Sequence, residues 1–131
     1  MARTARDIDA FLAKLERRFE MLAEDTFAID SGPHGPPIAL RIAPPMAVVR
    51  VSIGPAPVGH AAAELALFRR LLQLNATELV YCAYGLEDGQ IVLGSALAIE
   101  NLDLNELEAV LSDIDLALAR HVPELRTLSK A

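Results

Sequence analysis

Residues 61–76 read AAAELALFRRLLQLNA, and at about 100° per residue this segment is apolar on two opposite sides. Leu65, Phe68, Leu72 and Ala76 fall along one side, and Ala63, Leu67, Leu71 and Leu74 along the other. Arg69, Arg70 and Gln73 separate the stripes on one flank, and Glu64 and Asn75 on the other. A helix that is greasy on two sides needs two neighbours. In a short chain one neighbour is its own sheet. The second is read as another copy of the molecule, with Leu67, Leu71 and Leu74 meeting either their counterparts or the small-residue side of the 79–99 hairpin across an isologous interface. The competing reading covers that side from within, through Leu125 and Leu128 of the C-terminal tail.

The chain of 131 residues is read as a single domain, residues 1–131, and its 53% hydrophobic and 23% charged residues set it apart from disordered sequence. A formal charge of −6 is unevenly spread, because most of the acidic excess lies beyond residue 74. The only basic pairs are Arg17-Arg18 and Arg69-Arg70, too few to neutralise a run of phosphates. Neither nucleic acid nor an anionic membrane surface is therefore expected as a partner. Residues 1–10 lack the apolar core of a secretory signal, and no run approaches the roughly 18 apolar residues of a membrane span, so a cytoplasmic location is expected. Cys82 is the only cysteine, which excludes an intrachain disulfide and a cysteine-based zinc site.

Ile8, Phe11, Leu12, Leu15, Phe19 and Leu22 recur at helical spacing behind a Thr4–Asp7 capping box, which predicts one amphipathic helix over residues 5–24. Residues 26–30 read as a short strand and residues 31–37 as a loop, since three prolines cannot donate to a ladder. Alternation on either side of Pro44-Pro45 predicts a hairpin. Ile38, Leu40 and Ile42 share a face with Ala47, Val49, Val51 and Ile53, leaving Ala39, Arg41, Val48 and Arg50 on the other. Asp88-Gly89 supplies the positive φ angles of a type I′ turn between residues 79–86 and 91–99. That turn sets the register: Leu86 opposite Ile91, Tyr84 opposite Leu93, Gly85 opposite Val92 and Ala83 opposite Gly94, continuing to Tyr81 opposite Ala96. The side bearing Ala83, Gly94 and Ala96 is small enough for a helix or a partner's strand to approach closely. Asp103 and Glu106 form a second capping box ahead of Leu107, Val110, Leu111, Ile114 and Leu118, predicting a helix that ends near His121 with Pro123 just beyond. The expected order is α-β-β-β-α-β-β-α, an α+β fold with an antiparallel sheet packed by helices.

Catalytic chemistry finds little purchase. GPAPVGHA at residues 54–61 matches the G-x-x-x-x-G spacing of a phosphate loop, but His60 and Ala61 replace the lysine and hydroxyl residue, and Pro55 and Pro57 remove N–H donors. His34, His60 and His121 lack the spacing that places two ligands on one helical face, and no serine sits in a nucleophile elbow. Asp88, Asp103 and Glu106 are explained as turn and cap residues, Asp113 and Asp115 as solvated side chains, and Cys82 as a buried inert thiol. No enzyme, metal or cofactor is expected.

From Leu65 onward, the closing run Leu71-Leu72-Gln73-Leu74-Asn75, the turn Tyr84-Gly85-Leu86-Glu87-Asp88-Gly89 into Ile91-Val92-Leu93, and Ile99-Glu100-Asn101-Leu102-Asp103 resemble the type III secretion chaperone-like fold. That group includes the Tir-chaperone (CesT-like) and YbjN-like bacterial proteins. The resemblance implies a small acidic cytoplasmic homodimer without catalytic residues that holds an extended polypeptide on the first helix and sheet. Carried over to this chain, it points to Phe27 and Ile29 on an edge strand and to Val48 as partner-binding residues, with Leu67, Leu71, Leu74, Ala83, Gly94 and Ala96 at the dimer interface. The alternative expectation is a small-molecule sensor with a pocket beneath the loops 31–37 and 54–59.

Overall fold

Strict alternation in the Ile38–Ala43 and Met46–Pro55 segments divides the sheet into two unlike faces. The computed structural model describes residues 1–33 and 35–129. Its elements are α1 (Ala5–Lys14), β1 (Phe19–Ala23), β2 (Thr26–Ile29), β3 (Ile38–Ala43), β4 (Met46–Pro55), α2 (Ala61–Thr77), β5 (Ala83–Glu87), β6 (Gln90–Ala98), α3 (Leu104–Arg120) and α4 (Val122–Ser129). The six strands form one antiparallel sheet ordered β1-β2-β3-β4-β6-β5. The α+β architecture expected from the sequence is the one observed, with β1 and α4 as added elements.

One face carries Phe27, Ile29, Ile38, Leu40, Val49, Val51, Tyr84, Ile91 and Leu93 into a contiguous apolar core. Helices supply the rest of it: Ile8 and Leu12 from α1, Leu67, Leu71 and Leu74 from α2, Leu107, Val110, Leu111 and Ile114 from α3, and Val122 and Leu125 from α4. The opposite face, with Ala39, Arg41, Val48, Arg50, Ala83, Gly94 and Ala96, is exposed or half-buried. The β5–β6 register is the expected one from Ala83↔Gly94 to Leu86↔Ile91, and Asp88 and Gly89 both have positive φ, 51° and 76°. Both capping boxes form as read, Thr4 with Asp7 and Asp103 with Glu106.

The helix expected over residues 5–24 ends ten residues early. Glu16 adopts φ 58°, and the amides of Glu16 and Arg17 return to the carbonyls of Ala13 and Leu12, closing α1 with a left-handed residue. The following residues alternate as well as they repeat, so Phe19 and Met21 pair with Ile29 and Phe27 as an edge strand. The Phe19 and Phe27 ring centroids lie 6.0 Å apart, a tilted aromatic pair across the two strands. At the other end, Pro123 sits in the first turn of α4, where its missing N–H costs nothing.

Asp113, expected to be solvated, is buried, at 8% exposure. Its Oδ2 accepts from the backbone amides of Val80, Tyr81 and Cys82 at 3.3, 2.9 and 2.9 Å. These amides are thereby withdrawn from sheet pairing, which is why β5 begins at Ala83 rather than Leu79. Asn75 holds the other side of the junction, donating to the Tyr84 carbonyl at 3.1 Å and accepting from its amide at 2.7 Å. His121 is buried at the α3–α4 junction with Nδ1 3.1 Å from the Tyr84 hydroxyl, and burial holds its pKa below the ordinary value.

On the open face Arg50 reaches across β6 to an ion pair with Glu87 on β5. Its Nε lies 3.8 Å from where a Cβ on Gly94 would stand, and the same Cβ would meet the Val49 carbonyl oxygen at 2.7 Å. The small residue at this position thus admits the protein's own backbone and arginine. Gly94→Ala is expected to cost about 1–3 kcal/mol, read as a lowered urea midpoint with unchanged slope. His121 has a depressed folded pKa, so the unfolded chain binds its proton first as pH falls. Stability should therefore decline as pH drops through the ordinary histidine value, and His121→Gln should flatten that decline between about pH 7.5 and about pH 5.5 in urea titrations.

Candidate functional site

Two apolar surfaces remain open, and each follows from how a short segment is seated. On α2, Leu67, Leu71 and Leu74 are at 0%, 5% and 0% exposure, packed in the core with Leu125 of α4. This reverses the sequence assignment: the stripe expected to face a second copy is covered by the chain's own sheet and tail. Two polar contacts set the rotation. Arg70 Nε donates to Glu124 on α4 at 2.6 Å, and Asn75 reaches Tyr84 on β5. The opposite stripe then points outward, with Leu65 at 60% and Leu72 at 69% exposure beside half-buried Phe68 and exposed Ala76. Together with Arg69 and Gln73, these residues line a shallow apolar groove of about 480 Å³.

The second surface is the edge of the sheet. Phe27 and Ile29, expected on an edge strand, are fully buried in the core on β2, and β1 pairs outside them as the edge. The sheet ends at β1 and at β5, and on β1 Met21 is 44% and Leu22 61% exposed. A register shift between Met21 and Ala23 interrupts its pairing with β2. Met21 and Glu24 form one wall of a groove of about 540 Å³ whose other wall is Ala5, Arg6, Asp9 and Ala10 of α1. Apolar floor and charged rim are thus combined beside unpaired strand backbone. Sequence reasoning missed this groove because it ran α1 through the turn at Glu16. Alternation of Phe19, Met21 and Ala23 was the signal that would have found it.

Val48 lies half-buried on the open sheet face between Arg41 and Ala96. Ala83 and Ala96 are exposed there and Gly94 is half-buried, with Arg50 laid across it. The structure therefore brings Val48, Ala83, Gly94 and Ala96 onto one face and separates them from Leu67, Leu71 and Leu74.

The polar residues weighed for chemistry are dispersed. His60 precedes α2 without a side-chain hydrogen bond, His121 is buried against Tyr84, and His34 lies outside the described residues. Among the described residues no group of three histidine, cysteine, aspartate or glutamate side chains is arranged to hold a metal. Ser31 and Ser129 donate to the carbonyls of Pro36 and Leu125. Burial beside Asp113 pushes the Cys82 thiol up to about 12, far from the thiolate that nucleophilic work requires. Asp115, unlike Asp113, is at the surface and pairs with Arg17 at 2.5 Å. No helix among the described residues is long and apolar enough to cross a membrane.

Comparison with solved structures places the chain among a defined group of folds. A chain of the heterodimeric ExoU–SpcU complex from the type III secretion system of Pseudomonas aeruginosa superposes with TM-score 0.71 at 22% identity, covering 94% of this chain and 98% of that one. YbjN from E. coli, described as a putative transcription regulator, gives 0.67 at 13% identity over 95% and 94%. A chain of the HopA1–SchA chaperone–effector complex gives 0.54 at 15% identity over 94% and 90%. At these identities the likeness is one of fold. A search of curated proteins gives no match. The sequence model of the CesT_Tir_1 family matches residues 1–131, and the chain belongs to that family.

Proposed function

We propose that this protein is a non-enzymatic, chaperone-like module that holds an extended polypeptide, and that it works as a homodimer. The observation that carries the polypeptide reading is the β1 edge, with exposed Met21 and Leu22 and the α1 groove beside it. An added strand gains main-chain hydrogen bonds along such an edge, while the groove selects side chains. Membership of the CesT_Tir_1 family supports this reading, as does the fold shared with chains of ExoU–SpcU and of a chaperone–effector complex. The non-enzymatic reading is supported by the family and by the fold shared with the chain of ExoU–SpcU.

The dimer is assigned to the outward stripe of α2. Leu65 and Leu72 are large side chains left in water on a helix whose other side is already filled, and burying each fully would contribute about 1.5–3 kcal/mol. A small-molecule reading would use the groove lined by Arg18, Asp30, Ser31, Gly32 and Gly35. Arg17 in that groove is already neutralised by Asp115, which leaves it a weaker candidate.

Light scattering on the purified protein is expected to give twice the 14.1 kDa chain mass, and Leu72→Asp to give one chain mass with the far-ultraviolet spectrum unchanged. Capture of polypeptides from native lysate, compared between the parent and a Met21→Asp/Leu22→Asp variant, is expected to lose a defined polypeptide in the variant. Identical capture by both proteins would remove the β1 edge from the binding site.

A further inference from the structure

α4 is lightly tied to the rest of the molecule. Pro123 has no N–H to give the carbonyl four residues back, so the ladder of α3 is interrupted after His121 and α4 begins as a separate helix. Both hydroxyls of α4 bond within it, Thr127 to the Pro123 carbonyl at 3.1 Å and Ser129 to the Leu125 carbonyl at 2.8 Å. Among the described residues, the side-chain polar ties from α4 and its junction to the body are therefore two: the Arg70–Glu124 pair and the contact between His121 and the Tyr84 hydroxyl. A solvent-exposed ion pair is a weak tether. The apolar seat is also incompletely filled. Val122 and Leu125 are buried, but a gap of about 310 Å³ lies between Leu125, Arg126 and Ser129 of α4 and Ile53, Pro55 and Ile91 of the sheet.

The hinge of this helix carries a titratable ring. His121 is 4% exposed, and the charges around it are Asp113 on α3, Glu124 on α4, Arg70 on α2 and Glu78 just beyond α2. The three carboxylates favour an imidazolium and Arg70 opposes one, but burial outweighs them, so the seated junction keeps the ring neutral. Swinging α4 off its seat returns His121 to water, where the ring takes a proton at its ordinary value. We propose that α4 is a hinged latch, seated while His121 is neutral and released by acid ahead of the rest of the domain, uncovering the apolar floor at Ile53 and Ile91. The latch depends on neither the α2 dimer nor the β1 edge. Its sign follows from proton uptake: the open form binds one more proton than the seated form, so opening grows as pH falls through the ordinary histidine value, by no more than about tenfold per pH unit.

Native-state hydrogen exchange on the full chain tests it, read residue by residue between about pH 7.5 and about pH 5.5 and at several low urea concentrations. The amides of residues 125–129 are expected to be at least about tenfold less protected than those of β4 and β6, with little dependence on urea, because a local opening exposes little surface. Their protection should fall with pH in the parent and lose that dependence in His121→Gln. Protection and urea dependence in α4 equal to those of β4 and β6 would mean that the helix leaves only when the whole domain unfolds, which overturns the latch. A local opening of α4 that ignores pH in the parent, or keeps its pH dependence in His121→Gln, overturns the assignment of His121 as its trigger. Should His121→Gln fail to fold, the parent's pH and urea series decides alone.

Discussion

Leu67, Leu71 and Leu74 seat α2 on the covered face of the sheet, and the exposed surface of the molecule is largely what that seating leaves over. Full burial of three leucines contributes on the order of 5–9 kcal/mol, a sizeable fraction of what a domain of this size needs. The opposite stripe offers comparable apolar area, so hydrophobicity alone does not choose between the two rotations of the helix. Specific polar contacts choose. With the Leu67 side facing inward, Asn75 reaches both backbone groups of Tyr84 and Arg70 reaches Glu124. Leu65 and Leu72 are then committed to water unless another molecule covers them.

The same one-sidedness runs through the sheet. Buried side chains of all four helices join the core on one face, and the other is made of alanine, glycine and valine crossed by the Arg50–Glu87 pair. An antiparallel sheet tolerates such a solvated face. The absence of a side chain at Gly94 is explained by the close Val49 carbonyl and by Arg50. The large exposed apolar side chains of β1 and α2 lie instead at the β1 edge and on the outer side of α2.

Much of this was legible in the sequence, and the reasons divide cleanly by range. Elements set by local chemistry read correctly: the Asp88-Gly89 turn and its register, the two capping boxes, the alternation around Pro44-Pro45, and the extents of α2 and α3 to within a residue. Features set by distant partners did not. Nothing near Asp113 shows that its carboxylate serves three amides over thirty residues away, so its burial, the late start of β5 and the fixed Val80–Cys82 backbone were invisible. Glu16 adopts a left-handed conformation that most residues avoid, and with that break hidden, the edge passed from β2 to β1. Two stripes on α2 were evident from spacing, but their orientation depended on contacts to β5 and α4. The stripe assigned to a second copy is therefore the one that packs inside the chain.

The most direct measurement of this account is an isotope-filtered nuclear Overhauser experiment on a sample mixing labelled and unlabelled chains, which reports only contacts between copies. Cross-peaks joining the methyl groups of Leu65 and Leu72 and the ring of Phe68 to the other chain are the expected result. Intermolecular peaks from Leu67, Leu71 or Leu74, or none from α2 at concentrations where the mass is that of two chains, would contradict it.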